Sequence, residues 1–213
     1  MEFDHLIEIV GDEPVFETGL LLAGGVDSKD VRRQLSRWVK TGKIYQLRRG
    51  LYTLAPPFQK KKPHPFVVAN RLKHGSYVSL QSALAYYGLI PEYVPVVTSV
   101  TVNRPGHWDT MLGIYDFRHI KTILFKGYQL TKLYDDQEAF IATPEKGLLD
   151  LIYLQPNGDS KEYLSELRLQ NLDILDLTKL NKLVDLFDSA KLRRAVTIIS
   201  DIIKFDKEVY KKV

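Results

Sequence analysis

Cysteine is absent from this chain, and with it go every disulfide and every thiolate metal site. No stretch approaches the roughly 18 consecutive apolar residues that a membrane-crossing helix needs. Lysine and arginine are missing from residues 1–27, which hold seven acids: Glu2, Asp4, Glu8, Asp12, Glu13, Glu17 and Asp27. A secretory signal would begin with a basic region instead. Together these absences lead to the expectation of a soluble, cytoplasmic protein without a membrane partner.

Signatures of common chemistries are missing too. There is no Gly-x-x-x-x-Gly-Lys-Ser/Thr loop, no Gly-x-Gly-x-x-Gly after a strand and no Gly-x-Ser-x-Gly. The five histidines (His5, His64, His74, His107, His119) show neither His-x-x-x-His nor His-Glu-x-x-His spacing. The sequence calls for no cofactor, no metal and no catalytic residue, and the expectation is that the protein is not an enzyme. Asp109, Asp116, Glu145 and Lys146 can be arranged on paper into a metal-dependent nuclease site. Capping and solvation at a helix start account for the adjacent Glu145 and Lys146 more simply.

What is present is a concentration of positive charge. The chain has 213 residues and a net charge of +4, enough length for one or two domains with a sizeable core. Residues 28–62 carry eleven bases against one acid, Asp30, whereas residues 64–213 are near balance with 19 bases and 18 acids. Such a block is the electrostatic footprint of a polyanion partner.

The block has an architecture. Val31, Leu35, Trp38 and Val39 recur at helical spacing and give one apolar face, with Asp27 or Ser28 as cap and Thr41-Gly42 as stop. Ile44–Arg48 and Leu51–Leu54 then flank an Arg49-Gly50 turn and read as a hairpin. Upstream, Phe3–Val10 reads as a helix, and Pro14 opens a second one bearing Val15, Phe16, Leu20, Leu21 and Leu22, ended by Ala23-Gly24-Gly25. Three helices and a hairpin are the order of a winged helix-turn-helix over residues 1–57. Residues 58–65, with Lys60, Lys61 and Lys62 between prolines, read as a linker: either a solvated tether or extra phosphate contacts.

Residues 66–213 read as a mixed α+β domain with a helical C-terminal part. Helices are expected at Phe66–Lys73, from a Ser79 cap to Tyr87, from a Thr143 cap through Leu154, and near Ser160–Gln170, Thr178–Phe187 and Ser189–Lys207. Strands are expected at Val94–Val102, Ile114–His119, Thr122–Phe125, Gln129–Tyr134 and Ala139–Ala142, with a turn at Arg104-Pro105-Gly106.

In a helix-turn-helix the recognition helix lies in the major groove with its N-terminal residues on base edges. Ser28, Lys29, Arg32 and Arg33 take that end, with the two arginines able to make bidentate contacts to guanine. Ser36, Arg37 and Lys40 lie further along, the two bases towards phosphate. Arg48 and Arg49, at the wing tip, reach backbone or minor groove. Trp38 and Tyr45 are able to stack on bases, though Trp38 sits on the apolar face.

Three motifs in order carry a family resemblance. The first is Trp38-Val39-Lys40-Thr41-Gly42-Lys43-Ile44 with Leu47-Arg48-Arg49-Gly50-Leu51-Tyr52-Thr53-Leu54. The second is Tyr77-Val78-Ser79-Leu80-Gln81-Ser82-Ala83-Leu84 with Tyr87-Gly88-Leu89-Ile90, and the third is Ala142-Thr143-Pro144-Glu145-Lys146-Gly147-Leu148-Leu149-Asp150-Leu151. Across residues 28–151 the chain resembles the AbiEi-type antitoxins, with Gly147 where that family more often has Ala. The resemblance implies a DNA-binding transcriptional regulator that represses its own operon from an operator with inverted repeats, with binding cooperative on the DNA. It also implies an antitoxin domain acting against a nucleotidyltransferase-like toxin in phage-defence systems. The rival expectations are a regulator or protein-interaction module without a toxin, and the nuclease.

Overall fold

The computed structural model describes residues 1–22 and 26–210, with side chains described through residue 204. Helix α1 (Phe3–Val10) forms where apolar spacing places it and buries Phe3, Leu6 and Val10. The second helix, expected from Pro14, does not form. Phe16–Glu17 is instead strand β1, followed by a single 3-10 turn over Thr18–Leu22. Val15 and Phe16 are adjacent and buried in different cores, Val15 in the large one and Phe16 in the small one, as successive residues of an extended segment point to opposite sides. The stop expected at Ala23-Gly24-Gly25 lies outside the described residues.

Helix α2 (Ser28–Lys40) follows, with Asp27 as its cap, and buries Val31, Leu35 and Trp38. Strands β2 (Ile44–Arg48) and β3 (Leu51–Leu54) form the hairpin. Gly50 turns it at a φ of +83°, a conformation that favours glycine. β1 pairs antiparallel with β3, giving a three-stranded sheet in the order β1-β3-β2. Phe16 stacks on Tyr52 across that pairing, and Trp38 meets Phe3 edge-on in the small core beneath.

The second half opens with α3 (Pro65–Leu72), β4 (Ser76–Val78), α4 (Leu80–Tyr86), β5 (Val96–Thr101), β6 (Gly106–Thr110) and β7 (Gly113–His119). It continues with β8 (Tyr128–Lys132), β9 (Glu138–Ala142) and α5 (Pro144–Leu154), and closes with α6 (Lys161–Glu166), α7 (Leu177–Phe187) and α8 (Ala190–Tyr210). Its sheet has six strands in the order β6-β7-β5-β4-β9-β8, with β4–β9 and β5–β7 parallel and the other pairs antiparallel. The chain is thus mixed α+β with a helical C-terminal part. Two strands escaped the sequence reading: β4, only three residues long, and β6, whose Gly-His-Trp-Asp-Thr has no apolar alternation. The strand expected at Thr122–Phe125 is a 3-10 turn over Thr122–Leu124, and Tyr134 begins another such turn.

The halves are joined by packing as well as by chain. Val15, Leu47 and Leu51 belong to the large core of the second half, not to the small core around Trp38. The expected tether at 58–65 is docked. The Gln137 side chain accepts from the His64 N–H and donates to the Lys62 carbonyl, both at 2.9 Å, and Pro63 is buried. Among the described residues no helix is long and apolar enough to cross a membrane.

Candidate nucleic-acid interface

Helix α2 is held at its start by Asp27, whose carboxylate accepts from the Lys29 N–H at 2.9 Å. Its exit is fixed by the Thr41 hydroxyl, which donates back to the Arg37 carbonyl at 3.1 Å. With Val31, Leu35 and Trp38 turned inward, the helical repeat turns Lys29, Arg32, Arg33, Ser36, Arg37 and Lys40 outward, and all six are exposed; Ser28 is half-buried. Among the described residues Lys29, Arg32, Arg37 and Lys40 enter no ion pair. Arg33 enters one, an exposed pair with Asp30 at 3.5 Å, of the kind that holds a side chain only weakly. The face therefore presents five exposed cations, four of which enter no ion pair among the described residues. Trp38 is buried in the small core and offers no stacking surface, while Tyr45 on β2 is half-buried.

At the hairpin tip the two arginines part company. Arg49 is exposed. Arg48 turns into the protein: its Nε donates to the Leu72 carbonyl at 3.0 Å, and one Nη donates to the Arg71 carbonyl at 3.2 Å. That nitrogen also lies 3.3 Å from the Glu17 carboxylate. A guanidinium placed on the last carbonyls of α3 caps that helix and complements the negative end of its dipole. The same Glu17 oxygen is 2.9 Å from His74 Nε2, and this contact, followed by the charges of Arg48 and Arg71, holds the Glu17 carboxyl below its usual range. Arg48 thus ties hairpin, β1 and α3 together rather than projecting from the tip.

The three lysines of the connecting strap are not equivalent. Lys60 pairs with Asp12 at 3.6 Å, Lys61 is half-buried in a groove between the two halves, and Lys62 is exposed.

The paper nuclease site does not assemble. Asp109 and Asp116 lie on β6 and β7, where Asp116 faces His107 across the strands at 3.8 Å. Glu145 is buried at the start of α5 and accepts from the Asp176 N–H at 3.0 Å. Among the described residues no group of three or more His, Asp or Glu side chains is placed to hold a metal ion.

Solvation of Glu145 and Lys146 is also overturned, since both are buried. Lys146, one helical turn from Asp150, makes an ion pair with it at 0 % and 1 % side-chain exposure. Asp150 further accepts from the Ser79 hydroxyl at 2.7 Å and the Tyr77 hydroxyl at 3.0 Å. Ser79 stands at the cap position of α4, yet its hydroxyl serves Asp150 and not the helix end. Burial pushes the Lys146 ammonium down and the Asp150 carboxyl up, opposed in each case by the attraction of the partner. Burial first, then Asp150, raises the Tyr77 phenol. The rings of Tyr77 and Phe187 flank the ammonium at 5.6 and 5.1 Å. The cluster has no solvent face at which a substrate could arrive; it locks β4 and the starts of α4 and α5 together beneath α7. Its signal in the sequence was a Lys–Asp pair at i, i+4 in an otherwise apolar helix.

Compared with known proteins, the chain matches no family model and no curated protein at a significant level.

Proposed function

We propose that this protein binds double-stranded DNA in a sequence-specific way through α2 and acts as a transcriptional regulator. The observation that carries the reading is the exposed face of α2, where Lys29, Arg32, Arg33, Arg37 and Lys40 stand together with a single exposed acid, Asp30, paired to one of them. The surrounding order supports it: a helix, a strand, a short turn, the basic helix, and a hairpin whose second strand pairs with β1. On this reading the 3-10 turn over Thr18–Leu22 takes the place of the second helix of a winged helix-turn-helix, and the basic helix enters the major groove. On this reading Arg32 and Arg33 read base edges, Arg37 and Lys40 meet phosphate, and Arg49 is the wing residue. The resemblance to AbiEi-type antitoxins extends the proposal to an autorepressing antitoxin paired with a nucleotidyltransferase-like toxin.

The test is binding of the purified protein to the DNA upstream of its own gene, against a scrambled duplex, at physiological salt. A preference of about a thousandfold or more matches specific recognition. Arg32→Ala and Arg33→Ala are each expected to cost about 1–3 kcal/mol on the specific duplex and little on the scrambled one. Arg49→Ala is expected to weaken both and to lower the salt slope by about 1. Equal losses on both duplexes for the helix variants would sink the assignment.

A further inference from the structure

Between the halves lies a groove of about 710 Å³ whose charge is opposite to that of α2. Asp12 and Glu13 line one side, and Asp135, Asp136 and Glu138 line the other. The first two are neutralised by Lys60 and Arg71, at 3.6 and 3.5 Å. Among the described residues the other three enter no ion pair, and all three are exposed. Lys61, Arg71 and His74 are the basic groups along the groove, with Arg71 and His74 already engaged by Glu13 and Glu17. Lys132, directly opposite Glu138 on the neighbouring strand, is the nearest other cation in register.

Charge is only one of two features here. Leu130 and Phe140 are cross-strand partners on β8 and β9, both lining the groove, and they are 53 % and 43 % exposed. The groove thus sets an open apolar pair beside three carboxylates that enter no ion pair among the described residues. The wall is also anchored by hydrogen bonds. Gln137, between the acids, is buried and bonded to the connecting strap, and the Asn70 amide accepts from the Phe140 N–H at 2.6 Å in place of a neighbouring strand. Preorganisation of that kind lowers the ordering cost of an incoming partner.

We propose that this groove docks a lysine- or arginine-rich amphipathic segment of a partner protein. Its apolar side chains meet Leu130 and Phe140, and its cations meet Asp135, Asp136 and Glu138. Complementarity of sign selects the occupant: the groove attracts cationic peptide and repels the DNA that α2 attracts. No α2 residue lines the groove, so the two surfaces are separate, and this inference does not rest on the DNA-binding reading.

The probe is a fluorescein-labelled Lys-Leu-Lys-Leu-Lys-Leu-Lys peptide, with Glu–Leu and Lys–Ser versions of equal length as controls. Anisotropy gives the affinity for the full chain, and amide shifts in NMR give the location. The Lys–Leu peptide is expected to bind with shifts centred on residues 130–140. Asp135→Asn/Asp136→Asn/Glu138→Gln and Leu130→Ser/Phe140→Ser are each expected to weaken it about tenfold or more. Arg33→Ala/Arg37→Ala is expected to leave binding of the Lys–Leu peptide unchanged, and thermal melts check that each variant is folded. Unchanged binding by the acid variant, or shifts centred on other acids, would overturn the proposal. Loss with the acid variant but not the apolar one, with the Lys–Ser peptide binding equally, would reduce the groove to a polyelectrolyte surface and overturn it too. So would a concentration-dependent dimer dissolved by Leu130→Ser/Phe140→Ser, which assigns the groove to a second copy. Amide shifts of the same residues on adding magnesium alone would assign it to a cation instead. Failure to bind DNA, with the peptide results standing, would remove only the regulatory reading.

Discussion

Removing the ammonium of Lys146 would strand the Asp150 carboxyl at a site 1 % exposed, where only the hydroxyls of Ser79 and Tyr77 remain to meet it. Lys146→Ala or Asp150→Ala is therefore expected to destabilise the fold by about 3–5 kcal/mol, measured by urea unfolding. Replacing both by apolar residues of similar volume, Lys146→Met with Asp150→Leu, is expected to recover part of that loss, because no uncompensated charge stays buried while the Ser79 and Tyr77 hydroxyls lose their acceptor. A double variant as weak as either single one would show that the cluster contributes more than charge balance. At the first half's edge, Glu17 supplies a pH dependence of known sign. Its carboxyl is held below the ordinary 4.5, first by the hydrogen bond with His74. A depressed carboxyl contributes stability that is present above its unfolded value and is lost as pH falls through the folded one. The stability difference between the native chain and Glu17→Gln is thus expected near neutral pH and to vanish in acid below the folded value. A difference that grows with acid would contradict the contact.

Elements with one strong period were legible before any coordinates. The spacing of Val31, Leu35 and Trp38 marks α2 because those positions share a face and everything opposite is polar, so sequence and burial give the same boundary. The basic face, and with it most of the candidate interface, was legible for the same reason. What could not be read were elements fixed by partners distant in sequence. β1 is two residues whose extended form comes from pairing with Leu51 and Tyr52, and β4 is held between β5 and β9. Arg48 looked like a wing-tip base because its acceptors, the carbonyls of Arg71 and Leu72, lie more than twenty residues away. The two faces of α2 now separate experimentally. Leu35→Ala, at a site 0 % exposed, is expected to cost about 2–5 kcal/mol of stability, whereas Arg33→Ala is expected to change stability by less than about 0.5 kcal/mol. Where α5 crosses α4, a Cβ built on Gly147 meets the Ala83 Cβ at 3.1 Å. Gly147→Val is expected to push the helices apart and cost about 1–3 kcal/mol in the same unfolding assay.

Whether the chain behaves as one cooperative body turns on the seam between its halves. The seam holds three kinds of contact. Leu47 and Leu51 reach into the larger core, Arg48 caps α3, and Gln137 binds the strap from Lys62 to His64. Each half also carries its own reporter: Trp38 lies in the small core against Phe3, and Trp108 lies on β6 against Phe117. Trp38→Phe leaves fluorescence from the second half alone, and Trp108→Phe leaves it from the first. In each variant the fluorescence and circular dichroism transitions in urea are expected to coincide, as a two-state body requires. Arg48→Ala is expected to lower the stability of that body by about 1–2 kcal/mol, since the freed carbonyls are only partly buried and water can reach them. If the Trp38 signal were lost well before the dichroism, the basic helix and its hairpin would unfold as an independent unit. A ligand in the groove would then have no rigid route to the basic face of α2. Coincident transitions keep that route, because Leu47, Leu51, Arg48, Glu17 and the strap would then hold the two halves as one body.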